Sequence, residues 1–322
     1  MKTIEDFDEK TWSRVVTAKE MLLDVLRPTS WLIQRLELAP GRPVGIWGPP
    51  GAGKTLIVQA IGLAIATGRQ PFGWSGEAAQ GGVTHISFDM GQRALALRYR
   101  QLINGLNYPI GADDLDSELD YHVHPEWNLS GPDAYERLSR LAYGNKFLSL
   151  DNLRAATPGL DENDSRFAEV VDVMGRACQA ADCTGAYLHH TPKHQKRVTL
   201  DSGRGTSAIL ASSGAIIAVE MVEGDPNRRR IKFLRPHDES YESPPEFYLD
   251  RIIRPSQGPY DTAGWPDITL VERGQEEATD SSERGCAQCG ASIKRLGPKA
   301  RFCDNNNKCK NAFNNARLRV KR

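Results

Sequence analysis

At 322 residues, 39% of them apolar, the chain can bury the core of one large α/β domain and still carry a small extra module. No apolar run approaches the ~18 residues of a membrane span, and the acidic start Met1–Glu9 lacks the apolar stretch of a signal peptide, so a cytoplasmic protein is expected. Formal charge is zero, yet residues 284–322 carry +10 and residues 1–283 carry −10, an asymmetry that points the basic tail at a polyanion.

Residues 1–30 read as an N-terminal helical segment, part of a helical lead-in over 12–38 that closes the core or packs against the nucleotide base or a neighbouring subunit. After the turn Ala39-Pro40-Gly41-Arg42-Pro43, Val44–Trp47 reads as a short buried strand. It runs into Gly48-Pro49-Pro50-Gly51-Ala52-Gly53-Lys54-Thr55, a phosphate-binding loop of the form G-x-x-x-x-G-K-[ST], and Leu56–Ala64 then reads as a buried helix. The glycines let backbone N–H groups turn inward around phosphates, and the helix N-terminus adds its positive dipole end. Lys54 would reach the β/γ-phosphates and the Thr55 hydroxyl would hold Mg²⁺, which implies ATP or another nucleoside triphosphate as ligand.

A loop at Thr67–Trp74 and the pair Gly81-Gly82 lead to a second strand, Val83–Phe88, ending on Asp89. An acid at the carboxyl end of a strand beside the phosphate loop is a candidate general base for water; the alternative is an ordinary helix-capping Asp. An arginine-rich amphipathic helix follows, with Arg93, Arg98 and Arg100 between leucines. Residues 104–133 are rich in loop signals; their His122 and His124 lack partners for a metal site and read as structural. Residues 133–143 read as a helix, and Phe147–Asp151 as an apolar strand whose terminal acid would hold the Mg²⁺ water shell. Cys178 and Cys183 read as buried thiols near the end of a helix over 166–180.

The next strand, Gly185–Thr191, ends on His189 and His190, one directed to the site and one away because strand side chains alternate. A basic loop with Lys193, Lys196 and Arg197 runs to Arg204-Gly205-Thr206-Ser207. Strands over 215–219 and 230–235 form a hairpin, Phe247–Leu249 closes the sheet, and residues 252–284 read as a Pro-, Gly-, Ser- and acid-rich linker. In the tail, Cys286-x₂-Cys289 and Cys303-x₅-Cys309 suit a tetrahedral structural Zn²⁺ site, which would supply the folding energy that so short a unit lacks. Free thiols or a redox switch are the alternatives.

The order of these motifs resembles the RecA-like ATPases, and within them the plasmid RepA-type hexameric replicative helicases and their phage relatives. The likeness spans about Trp31 to Leu249 and rests on Gly48–Thr55, Gly68–Gly73, Leu150–Arg154, Leu188–Thr191 and Arg204–Ser207. It implies a mainly parallel twisted α/β sheet over 31–251, a hexameric ring with ATP between subunits, and single-stranded DNA in its channel. Lys54, Thr55 and Asp151 would bind MgATP, Asp89 would take the catalytic carboxylate's place, and His190 would sense the γ-phosphate. Lys193, Lys196 and Arg197 would face DNA, and Arg204 or Arg235 would act across the interface. The family usually has Glu at the place of Asp89, and its Lys-x-Arg pair falls here on Phe233-Leu234-Arg235, with Lys232 displaced by one residue. Residues 285–322 resemble small four-cysteine zinc modules of phage and bacterial proteins, with one extra residue between the last two cysteines; such a tail would bind DNA or dock a replication-protein partner. A rival expectation from a different class is a RecA-fold regulatory ATPase that recruits or remodels proteins through this tail.

Overall fold

The computed structural model describes residues 17–19, 22, 30–41, 43–106, 118–123, 125–161, 165–192, 197–202, 207–235, 246–256 and 264–273. Two compact units divide it at Trp31/Leu32. In the first, Ala18, Lys19 and Leu22 are helical. The expected lead-in does not continue as helix into the second: Gln34–Leu36 is a 3₁₀ turn, closed by a bridge between Ile33 and Leu38. Glu37, at φ 52°, is the left-handed residue that ends it.

Among its described residues the second unit is built on a nine-stranded sheet in the order β3-β2-β4-β5-β1-β6-β7-β8-β9. The strands are β1 Val44–Gly48, β2 Gly82–Ser87, β3 Leu119–Val123, β4 Asn145–Asp151, β5 Thr184–His190, β6 Ile216–Val222, β7 Asp225–Arg235, β8 Phe247–Arg254 and β9 Asp267–Arg273. From β3 to β6 all pairings are parallel; β6 to β9 are antiparallel. The parallel part follows from its connections, since parallel neighbours need crossovers long enough to hold a helix, whereas Gly224, at φ 84°, lets β6 fold directly back as β7.

Helices cover both faces: α1 Lys54–Ala66, α2 Gln92–Gly105, α3 Ala134–Ala142, α4 Leu153–Ala156, α5 Ser165–Ala180 and α6 Ser207–Ser212. Strand alternation sorts the core into two clusters. Val44, Ile46, Val83, Leu188 and Ile217 pack with α1 and α2, while Trp47, Leu148, Leu150, Tyr187 and Ala218 pack with α3 and α5. α1 is apolar around most of its circumference because it is enclosed on nearly all sides: Leu56, Ile57, Val58, Ile61, Leu63 and Ile65 are all buried. Each contributes about 2 kcal/mol by leaving water.

Three sequence expectations change. The 104–133 stretch contains β3, which extends the parallel sheet beyond β2. Phe247–Leu249 does not close the sheet, because β8 runs on to Arg254 and pairs along its length with β9. The stretch expected as linker therefore holds an edge strand at 267–273, pinned where Gln101 and Asn104 of α2 bond the Pro266 carbonyl (2.6 Å) and the Asp267 carboxylate (3.0 Å). Cys178 and Cys183 are free and fully buried, as expected. No helix among the described residues is long and apolar enough to cross a membrane.

Candidate functional site

β1 ends in the loop Gly48–Thr55, at the carboxyl end of the parallel strands, and the chain turns directly into α1. Gly51 and Gly53 take φ of 84° and 94°, which L side chains resist, so the loop can curl with its amides inward. Gly48 has a second reason to be glycine: a Cβ there would lie 2.5 Å from the Val219 carbonyl oxygen of β6.

Lys54, only 4% exposed, folds back on the loop. Its Nζ donates to the Gly48 and Pro49 carbonyls at 2.7 and 3.2 Å and lies 3.0 Å from His190 Nδ1. Burial pulls its pKa down to about 8, although Asp151 and Asp89 pull the other way. Thr55 Oγ1 donates to Asp151 Oδ2 at 2.6 Å. Burial raises the Asp151 carboxyl to about 6, with the Thr55 hydrogen bond opposing. A hydroxyl and a carboxylate oxygen in contact at the foot of a phosphate loop are the hard-oxygen pair that Mg²⁺ takes while keeping its waters, so the donor set fits that ion.

Asp89 reaches this centre by a route that the sequence does not reveal. β2 is not a neighbour of β1: β4 and β5 lie between them. Exposed Asp89 is instead held from the end of β4, where Asn152 Nδ2 donates to Asp89 Oδ2 at 2.6 Å. The same nitrogen is 3.1 Å from His190 Nε2. The two β5 histidines part as expected. Half-buried His190 faces the loop, with burial and then the Lys54 charge lowering its pKa. His189 packs its ring on Trp47 at 5.3 Å and Phe167 at 5.9 Å in the core.

Two cations complete the surroundings. Arg98 of α2 lies close enough to Asp151 and Asp89 to feel both charges, while burial lowers its pKa. Arg229 of β7 donates through Nε to the Ala52 carbonyl of the phosphate loop at 2.6 Å and through Nη1 to the Pro226 and Arg228 carbonyls, both at 2.9 Å. Burial, then Arg251, brings its pKa down to about 10. Sequence reasoning missed Arg229 and Asn152. Arg228-Arg229-Arg230 is a run of three, and only the strand's alternation turns the middle one to the loop while Arg228 faces Asp250 (3.6 Å) and Arg230 pairs with Glu246. The signal for Asn152 was its place directly after a strand-end acid.

Arg235 is not near the phosphate loop of its own chain. It pairs with Ile216 at the amino end of β6, whereas Gly48 lies beyond the Trp47↔Ala218 pair at the other end, and its guanidinium donates to the Leu210 carbonyl. Arg197 is exposed. Lys193, Lys196, Arg204 and the cysteines at 286, 289, 303 and 309 lie outside the described residues. Among the described residues no group of three or more His, Cys, Asp or Glu could hold a metal.

A family model described as AAA domain matches residues 10–196. No curated protein matches the sequence. Among solved structures, the ATPase domain of G40P is 14% identical, with a TM-score of 0.50, over 76% of this chain and 96% of that one. The flagellar accessory protein FlaH from Methanocaldococcus jannaschii is 15% identical, with a TM-score of 0.46, over 74% of this chain and 91% of that one. The phosphate loop, the sheet and the extent of the family match lead to one statement: the chain has the fold of a RecA-like P-loop ATPase and belongs to the AAA domain family.

Proposed function

We propose that the chain is an ATP-hydrolysing, DNA-dependent ATPase of the RepA-like helicase kind, acting as a hexameric ring on single-stranded DNA in phage- or plasmid-type replication or recombination. The observation that carries the ATPase part is the Lys54–Thr55–Asp151–His190 constellation at the end of β1, β4 and β5. Lys54 Nζ, held at the Gly48 and Pro49 carbonyls, is the charge placed to meet the terminal oxygens of a triphosphate. Loop amides and the start of α1 then hold the phosphate oxygens. Thr55 and Asp151 would hold Mg²⁺, which when bound neutralises charge on the β- and γ-oxygens. Asp89 orients the attacking water and accepts its proton, and His190 reads the terminal phosphate.

The remoteness of Arg235 from its own phosphate loop supports a role across a subunit interface, with Arg204 as the other candidate. Lys193, Lys196 and Arg197 face DNA in this reading. In this reading Cys286, Cys289, Cys303 and Cys309 would hold Zn²⁺, which would supply the folding energy of residues 285–322, and that tail would bind DNA or a replication partner.

The test is ATP hydrolysis by the full chain with and without single-stranded DNA. Stimulation by DNA, absent in Lys54→Ala, supports the proposal. Hydrolysis indifferent to DNA at low and high salt refutes the helicase-like reading and leaves the regulatory ATPase that works on protein partners.

A further inference from the structure

Asn152 holds its place between the two residues that the proposed reaction needs most, and its three polar contacts fix how its amide faces. Oδ1 accepts from Ala155 N–H at 2.9 Å as the cap of α4, so Nδ2 is the donor end. One Nδ2 hydrogen goes to Asp89 Oδ2 at 2.6 Å and the other is directed at His190 Nε2, 3.1 Å away. Asn152 is only 4% exposed, so water does not compete for these contacts.

His190 cannot satisfy both of its neighbours. A neutral imidazole has one acceptor nitrogen, yet Lys54 Nζ stands at Nδ1 (3.0 Å) and Asn152 Nδ2 at Nε2 (3.1 Å), and both are donors. The ammonium makes the stronger, charge-assisted bond, so Nδ1 accepts from Lys54 and the ring proton sits on Nε2, facing the amide hydrogen. In that tautomer Nε2 has no lone pair to offer the Asn152 hydrogen, whereas with the proton on Nδ1 it has one. When a triphosphate draws Lys54 away, the ring can exchange its proton with water, accept from Asn152 at Nε2, and present Nδ1–H to the terminal phosphate.

We propose that Asn152 is a positioning residue that couples His190 to Asp89, so that occupancy of the terminal phosphate subsite completes a hydrogen-bonded chain from His190 through the Asn152 amide to the carboxylate that orients the attacking water. This rests on the nucleotide reading given above. ADP lacks the phosphate that His190 would meet, so the relay forms only with the triphosphate.

Two measurements test it. The ¹⁵N shifts of the His190 ring report its tautomer without turnover. A non-hydrolysable ATP analogue should move the proton from Nε2 to Nδ1 in the parental protein, and not in Asn152→Ala; an unmoved parental tautomer overturns the proposal. The second is kcat and analogue Kd for Asn152→Ala, Asn152→Ser, and each combined with Asp89→Glu. Ser keeps an oxygen for Ala155 N–H but has no amide hydrogens. Both Asn152 variants should lower kcat at least about tenfold while changing Kd less than about threefold, and should cost no more than about twofold further once Asp89 is displaced. Parental kcat in Asn152→Ser shows that only the helix cap matters and overturns the relay, as do fully additive losses. If the parental chain shows no turnover that Lys54→Ala removes, the nucleotide reading itself fails and the relay with it; an active parental chain with an indifferent Asn152 defeats the relay alone.

Discussion

Replacing the phosphate-loop lysine with methionine should stabilise the nucleotide-free protein while ending its chemistry. Lys54 is buried and charged, and its pKa falls from 10.5 to about 8 because lost hydration outweighs attraction to Asp151 and Asp89. At ~1.4 kcal/mol per pKa unit, holding that charge costs the folded state about 3 kcal/mol. The sign follows from proton counts. Between pH 8 and 10.5 the unfolded chain binds more protons than the folded one, so stability rises with pH across this window, and below pH 8 the whole cost is present. Methionine removes the cost but also the bonds to the Gly48 and Pro49 carbonyls, worth roughly 1 kcal/mol each. Lys54→Met should thus gain about 1 to 2 kcal/mol at pH 7 and be about 1 kcal/mol less stable than the parent near pH 10, where the charge cost has largely gone and only the lost hydrogen bonds remain. Urea denaturation of both proteins at pH 7 and pH 9.5, without nucleotide, reads the difference. A Lys54→Met protein less stable than the parent at pH 7, or one that keeps the full rise between pH 8 and 10, refutes the reasoning.

Asp89→Asn should keep its affinity for a non-hydrolysable ATP analogue and lose hydrolysis by about 100-fold or more, since only proton acceptance and water orientation are removed. Hydrolysis at the parental rate would place the base elsewhere. Arg229→Ala leaves the Ala52 carbonyl without its brace and should weaken analogue binding about tenfold, with Arg229→Lys close behind because an ammonium cannot span the same three carbonyls; unchanged titrations of both would refute the brace. His85, fully buried against Ser149 Oγ at 2.7 Å, has its pKa lowered by burial to about 4. Because the unfolded chain takes up its proton first, stability should fall by ~3 kcal/mol as pH drops from about 6.5 to 4, and His85→Gln should flatten that slope in acid denaturation curves. Elemental analysis of the full chain should find about one zinc, lost in Cys286→Ser; a metal-free chain removes the zinc module from the proposal.

The phosphate loop, the strand-end acids at 89 and 151, and the opposite directions of His189 and His190 were legible in the sequence because each is dictated locally. A loop that must wrap phosphates needs glycine at positive φ, as Gly51 and Gly53 have, and strand alternation sends one of two adjacent histidines inward. β9 was not legible, since Asp267–Arg273 is a short edge strand with charged ends that follows Pro266, and its identity comes from pairing with β8 and from α2. Nor could the sequence order the strands. Two strands between β1 and β2 separate Asp89 from the phosphate loop, and only the tertiary arrangement brings Asn152 from β4 to bridge it to His190 on β5. The same holds for Arg229, 177 positions from Ala52, whose contact with the loop exists because the β6–β7 hairpin folds back beside β1. Local backbone chemistry is written in a few neighbouring residues, whereas a buried guanidinium or amide is assigned its partner by packing, which no short stretch of chain encodes.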